Sequence, residues 1–182
     1  MIAALVSFGA AADIAVTDVN VTDTHAGGLP EMDLLDIYEA LYGATGYTTS
    51  DELYEAVGVD PDDYNGPAVS HFFGDQGVAL EARYALFNYD FGYYDPVLPG
   101  AVANQNLLFS VTGPYVDAPN PGGPTGAIVS PAVEPYGFYL DVDETGVELY
   151  SEYDRNSDGR VHMLLLATPN ADEYLMAWED RL

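Results

Sequence analysis

The segment EYDRNSDGRVH, residues 152–162, places Asp154, Asn156 and Asp158 at alternate positions and follows them with Gly159. Oxygen ligands at that spacing, with a glycine for the sharp turn, open a calcium loop of the EF-hand or dockerin kind. A full loop of that kind needs about six or seven oxygens and closes on a bidentate acid at its twelfth position. Counted from Asp154, the ninth position is His162, a poor ligand for a hard cation. The twelfth is Leu165, inside an apolar run. The flanks GVELYSEY (146–153) and RVHMLLLAT (160–168) have the pattern of strands, whereas an EF-hand needs helices. Asn, Asp and Gly are also the residues that a β-hairpin turn demands, because they tolerate positive φ. The segment therefore reads as a hairpin turn, with its oxygens open to a metal site shared with another loop.

Other chemistry is thinly marked. The three histidines, His25, His71 and His162, are scattered and make no zinc-type pair, and His162 is expected to face solvent. No nucleophile elbow, Walker loop or dinucleotide fingerprint occurs. Cysteine is absent, which excludes disulfide and thiolate chemistry. Glycoside hydrolysis needs two carboxylates at a defined separation, and among 30 acidic residues no pair singles itself out. The chain has 15 tyrosines. Tyr94 or Tyr115, beside acidic side chains, would suit stacking on a sugar ring, although tyrosines in alternating strands commonly serve packing.

The elements that must position these groups fall into three zones. Residues 1–12, MIAALVSFGAAA, resemble the apolar and cleavage regions of a signal peptide, with Ala10 and Ala12 before Asp13 but no basic start; a buried first strand is the other reading. Residues 13–67 read as an extended segment followed by two short helices. In the first helix Pro30, Glu31 and Asp33 suit the opening turn, Leu34, Ile37, Tyr38 and Leu41 share a face, and Gly43 ends it. The second opens on the capping box Thr49-x-x-Glu52 and stops at Gly58. From residue 68 to 182 the period becomes two. Strands are expected within 78–89, 106–112, 127–130, 136–142, 146–153, 160–168 and 173–179, joined by segments rich in Pro, Gly, Asn and Asp. The fold class is mainly β: an antiparallel β-sandwich or jelly roll preceded by a two-helix segment, in all an α+β chain.

Composition narrows the partners. Arg83, Arg155, Arg160 and Arg181 are the four cations, there is no lysine, and the net charge is −26. No basic footprint exists for nucleic acid, and anionic membrane surfaces are disfavoured. No apolar run is long enough for a transmembrane helix. An acidic surface of this kind fits a saline habitat and predicts stability that rises with salt.

The segments LPEMDLLDIYEALYG, ARYALFNYDFGYYD, YGFYLDV, LYSEYDRNSDGRVHMLLLAT and EYLMAWED, taken in order, span residues 29–180. In this order, and in the Trp178-Glu179-Asp180 segment, the chain resembles bacterial exoproteins of the PEP-CTERM sorting-signal type. These carry a domain of unknown function ending in W-E-D and a GGDxDxND element. The resemblance implies a secreted β-sandwich, surface-anchored or released, without established enzymatic activity. It also implies calcium near one end of the sandwich. Of the family's acidic ending only Glu179 and Asp180 match here, and neither GGDxDxND nor the sorting tail follows. A fragment, or a protein released without its anchor, is then expected, with a sheet edge open to pairing with another chain.

The resulting expectation is a secreted, non-enzymatic structural or adhesive protein. Its metal candidates are Asp154, Asn156, Asp158, Glu179 and Asp180, and calcium, where held, is structural. The alternative is a carbohydrate-binding module for matrix or envelope polysaccharide. A glycan hydrolase is a more distant reading.

Overall fold

A computed structural model describes residues 13–18, 33–59, 71–83, 88–95, 104–112, 125–132, 134–143 and 145–178. The candidates Glu179 and Asp180, the leader-like residues 1–12, Pro30 and Tyr115 lie outside these.

Both helices form where local chemistry places them. Helix α1 (Leu34–Tyr42) begins after Asp33, whose carboxylate accepts the Asp36 N–H at 2.8 Å. Asp33 is thus the cap and not a member of the first turn. Gly43, at φ +92°, ends the helix and donates its N–H to the Glu39 carbonyl. Helix α2 (Ser50–Val57) is capped by Thr49, which accepts the Glu52 N–H at 3.1 Å. Glu52 reaches back to the N–H and hydroxyl of Thr48, closing the box one residue earlier than the reciprocal pattern requires.

The remainder is mainly β, in two sheets. The strands are β1 (Asp13–Asp18), β2 (Gln76–Arg83), β3 (Tyr89–Tyr94), β4 (Asn106–Val111), β5 (Thr125–Val129), β6 (Gly137–Val142), β7 (Val147–Tyr150), β8 (Met163–Ala167) and β9 (Glu173–Trp178). One sheet has the order β5-β2-β1-β9-β8 and the other β4-β3-β6-β7. The mainly-β α+β class is as expected. Within it, the first sheet is mixed, because β1 runs parallel to both its neighbours, β2 and β9. The second sheet is antiparallel throughout.

Of the strand expected over 78–89, residues 78–83 belong to β2 and Tyr89 opens β3 in the other sheet, while 84–87 lie outside the described residues. Strand β3 escapes a period-two reading because Gly92 interrupts it. A side chain there would collide with the Tyr139 ring and the Asn106 carbonyl, and the register with β4 shifts at the same place.

Side chains from both sheets meet in one core that includes Phe91, Phe138, Leu140 and Leu149 opposite Leu80, Val129, Met176 and Trp178. The opposite faces of β8 and β9 present Leu164, Leu166, Leu175 and Ala177 to Leu34, Ile37, Tyr38 and Leu53 of the helices. With both faces covered, β8 is apolar at every position, as buried strands are. Tyr38 fixes the layer by donating its hydroxyl to the Ala167 carbonyl at 2.8 Å. Strand β9 lies inside its sheet, so the edges belong to β4, β5, β7 and β8. Among the described residues no helix is long and apolar enough to cross a membrane.

Candidate functional site

The acidic motif is not a hairpin turn. Strand β7 closes one sheet and β8 edges the other, so residues 151–162 carry the chain from sheet to sheet. The path begins with a 3₁₀ turn at Tyr153–Arg155. Asn156 then turns inward and is buried. Its Oδ1 accepts the Tyr150 N–H at 2.7 Å, and its Nδ2 donates to the carbonyls of Tyr150 (3.1 Å) and Arg160 (2.7 Å). This double-ended bonding requires an amide. Gly159, at φ +68°, supplies the left-handed residue that brings the chain back.

Asp158 accepts the Arg160 N–H at 3.0 Å and faces the His162 ring at 3.1 Å. Burial pushes its carboxyl up, but the Arg160 N–H and the His162 ring outweigh that and hold it below its usual range. His162 is buried, contrary to the solvent-facing expectation, because it precedes β8 and folds back onto Asp158. Asp154 is exposed on the 3₁₀ turn. The structure therefore gives Asp154, Asn156 and Asp158 three different surroundings. Among the described residues no three His, Asp or Glu side chains are grouped to hold a metal.

The same segment carries a second charged group. The Glu152 carboxylate, 15% exposed, pairs with Arg155, accepts the Tyr94 hydroxyl at 2.8 Å and meets the His71 Nε2 at 3.0 Å. Burial pushes this carboxyl up, yet His71, Tyr94 and Arg155 together bring it below its ordinary value. Tyr94 is pinned on several sides. Its ring covers Gly137, meets Tyr150 edge-on at 5.1 Å, and lies under the Arg155 guanidinium at 5.2 Å. Burial first, and then the Glu152 charge, push its phenol upward. At 2% exposure Tyr94 is a wall and not the exposed stacking platform expected of it.

That wall borders a cavity of about 330 Å³ lined by Tyr93, Tyr94, Asp95, Asn104, Gln105, Asn106, Pro131, Ala132 and Tyr136. Tyr93 stands edge-on to Tyr136 at 5.8 Å, and the Tyr136 hydroxyl is held by the Gly74 carbonyl at 3.1 Å. Gln105 is braced by Glu148 at 3.1 Å and the Tyr150 hydroxyl at 3.4 Å, and Asn106 donates to the Asn104 carbonyl. Three side-chain amides and a carboxylate, set against tyrosine and proline, can exchange hydrogen bonds with a hydroxylated ligand while an apolar wall covers its ring. Among the described lining residues Asp95 is the one carboxylate.

Alongside runs a row of carboxylates. Asp90 of β3 lies opposite Asp141 of β6, which lies opposite Glu148 of β7. Ser110 caps the row by donating to Asp90 at 2.5 Å. Burial, followed by Glu148, Asp143 and Asp90, raises the Asp141 carboxyl above its usual range. Burial, followed by Asp90, Asp141 and Glu148, pushes the Tyr139 phenol up to about 12.

Comparison with known proteins yields no matching family model, no matching curated protein and no matching solved structure.

Proposed function

We propose that this protein is a non-enzymatic adhesive module of the cell exterior that binds polysaccharide through the cavity beside Tyr94. The observation that carries the proposal is the lining itself: tyrosine walls, three side-chain amides of which Gln105 is braced by Glu148 and Tyr150 and Asn106 by the Asn104 carbonyl, and a single carboxylate among the described lining residues. Such a lining binds a hydroxylated ring without cleaving it. The small-residue pattern of residues 1–12 and the resemblance to PEP-CTERM-type exoproteins support an extracellular setting. Calcium has no part in this proposal, because Asp154, Asn156 and Asp158 do not converge.

The test is a glycan array with matrix and envelope polysaccharides, followed by calorimetry on the positive members. Gln105→Ala is expected to weaken binding about tenfold, the loss of one or two well-placed hydrogen bonds, and to lower the melting temperature by only a few degrees through its lost bonds to Glu148 and Tyr150. A uniformly negative array contradicts the proposal, as does binding that Gln105→Ala leaves intact.

A further inference from the structure

The charge of the cavity lining separates one class of sugar from another. Asp95 contributes a negative charge, the amides of Asn104, Gln105 and Asn106 are neutral, and no arginine or histidine is among the described lining residues. Arg155, the cation just behind the wall, is engaged by Glu152 and the Tyr94 ring. The chain as a whole carries a net charge of −26. The volume, about 330 Å³, sits at the low end of small-molecule sites and suits a single sugar unit.

We infer that the cavity selects its sugar by charge: it takes a neutral unit, takes an amine-bearing unit more tightly, and refuses uronic or sulfated units. This inference rests on the polysaccharide reading above. An anionic sugar entering the cavity leaves water without gaining a cationic partner among the described lining residues, and it does so beside a carboxylate. Discrimination then comes from a built-in repulsion as much as from any favourable contact. An ammonium group gains attraction to Asp95, and the field of the whole chain raises its local concentration.

The test uses isothermal calorimetry on the intact chain with tetrasaccharides of hexose, deacetylated hexosamine and hexuronate, each in gluco, galacto and manno form. Titrations are run at 50 mM and 500 mM NaCl. Within whichever stereochemistry binds, the hexuronate is expected to bind at least about tenfold more weakly than the hexose. The hexosamine is expected to bind more tightly than the hexose at low salt, and that advantage should shrink at high salt. Asp95→Asn should abolish the hexosamine advantage and narrow the hexuronate gap. Hexuronates binding as tightly as hexoses overturn charge selection while leaving polysaccharide binding in place. Silence from every sugar overturns the polysaccharide reading and this inference with it.

Discussion

Asp141→Asn is expected to stabilise the protein, and to do so only at low salt. Asp141 sits in the middle of a cross-strand row, with Asp90 opposite it on one side and Glu148 on the other. Like charges directly opposite in an antiparallel pair cost about 0.2–1 kcal/mol each. The asparagine keeps the shape and removes both contacts, so the gain is about 0.5–2 kcal/mol. These side chains are partly solvated, so the lower scale of measured pairs applies in place of the bare Coulomb figure. For a chain of this size the gain corresponds to a rise of about 1–8 °C in Tm. The assay is thermal unfolding at pH 7 in 20 mM and 1 M NaCl. At 1 M the Debye length falls to about 3 Å, so the difference between variant and parent should nearly vanish while the parent itself becomes more stable.

The pH dependence has a definite sign. The folded-state pKa of Asp141 is raised. Its charge therefore destabilises the fold above that value and ceases to do so as pH falls through it toward the unfolded value. The variant's advantage should accordingly be largest near neutrality and fade under acid. A variant less stable than the parent at low salt, or equally advantaged in 1 M NaCl, refutes the reasoning.

Three further outcomes are expected. Asn156→Ala removes three partly buried hydrogen bonds and leaves the backbone groups of Tyr150 and Arg160 without this partner, costing about 2–4 kcal/mol in urea unfolding; an effect under about 0.5 kcal/mol would show the clamp to be dispensable. Gly137→Ala places a methyl 2.5 Å from the Tyr94 ring, with an expected loss of about 1–3 kcal/mol, and a neutral result would mean that Tyr94 does not lie over the glycine. Glu152 and Asp158 have lowered folded-state pKa values, so their contribution is present above the ordinary carboxylate range and lost as pH falls through the folded values. Glu152→Gln should flatten the acid limb of a Tm profile between pH 7 and 3, and an unchanged limb would assign acid sensitivity elsewhere.

The helices were legible because their signals are local: a capping side chain, a glycine stop and an apolar face lie within a few residues of one another. The strands were legible as strands, but their partners were not. Asn156, Asp158 and Gly159 suit a hairpin turn and a sheet-to-sheet crossing equally well, and what decides between them is pairing with distant β6 and β9. His162 is buried although alternation over 160–168 turns it outward, because that pattern runs three residues ahead of the start of β8. The site was harder still. Glu152 and Arg155 are spaced to meet on a helical turn, a local signal available in the sequence. His71, Tyr94 and Gln105 come from segments far apart in the chain and carry no motif.

The most direct test of the account is ¹⁵N-labelled protein titrated with a polysaccharide that scores on the array, following backbone resonances and the side-chain amides of Asn104, Gln105 and Asn106. The account predicts that these amides, with the backbone of Tyr93 to Asp95, shift first and saturate together. Shifts confined to another face, or none at saturating polysaccharide, would contradict it.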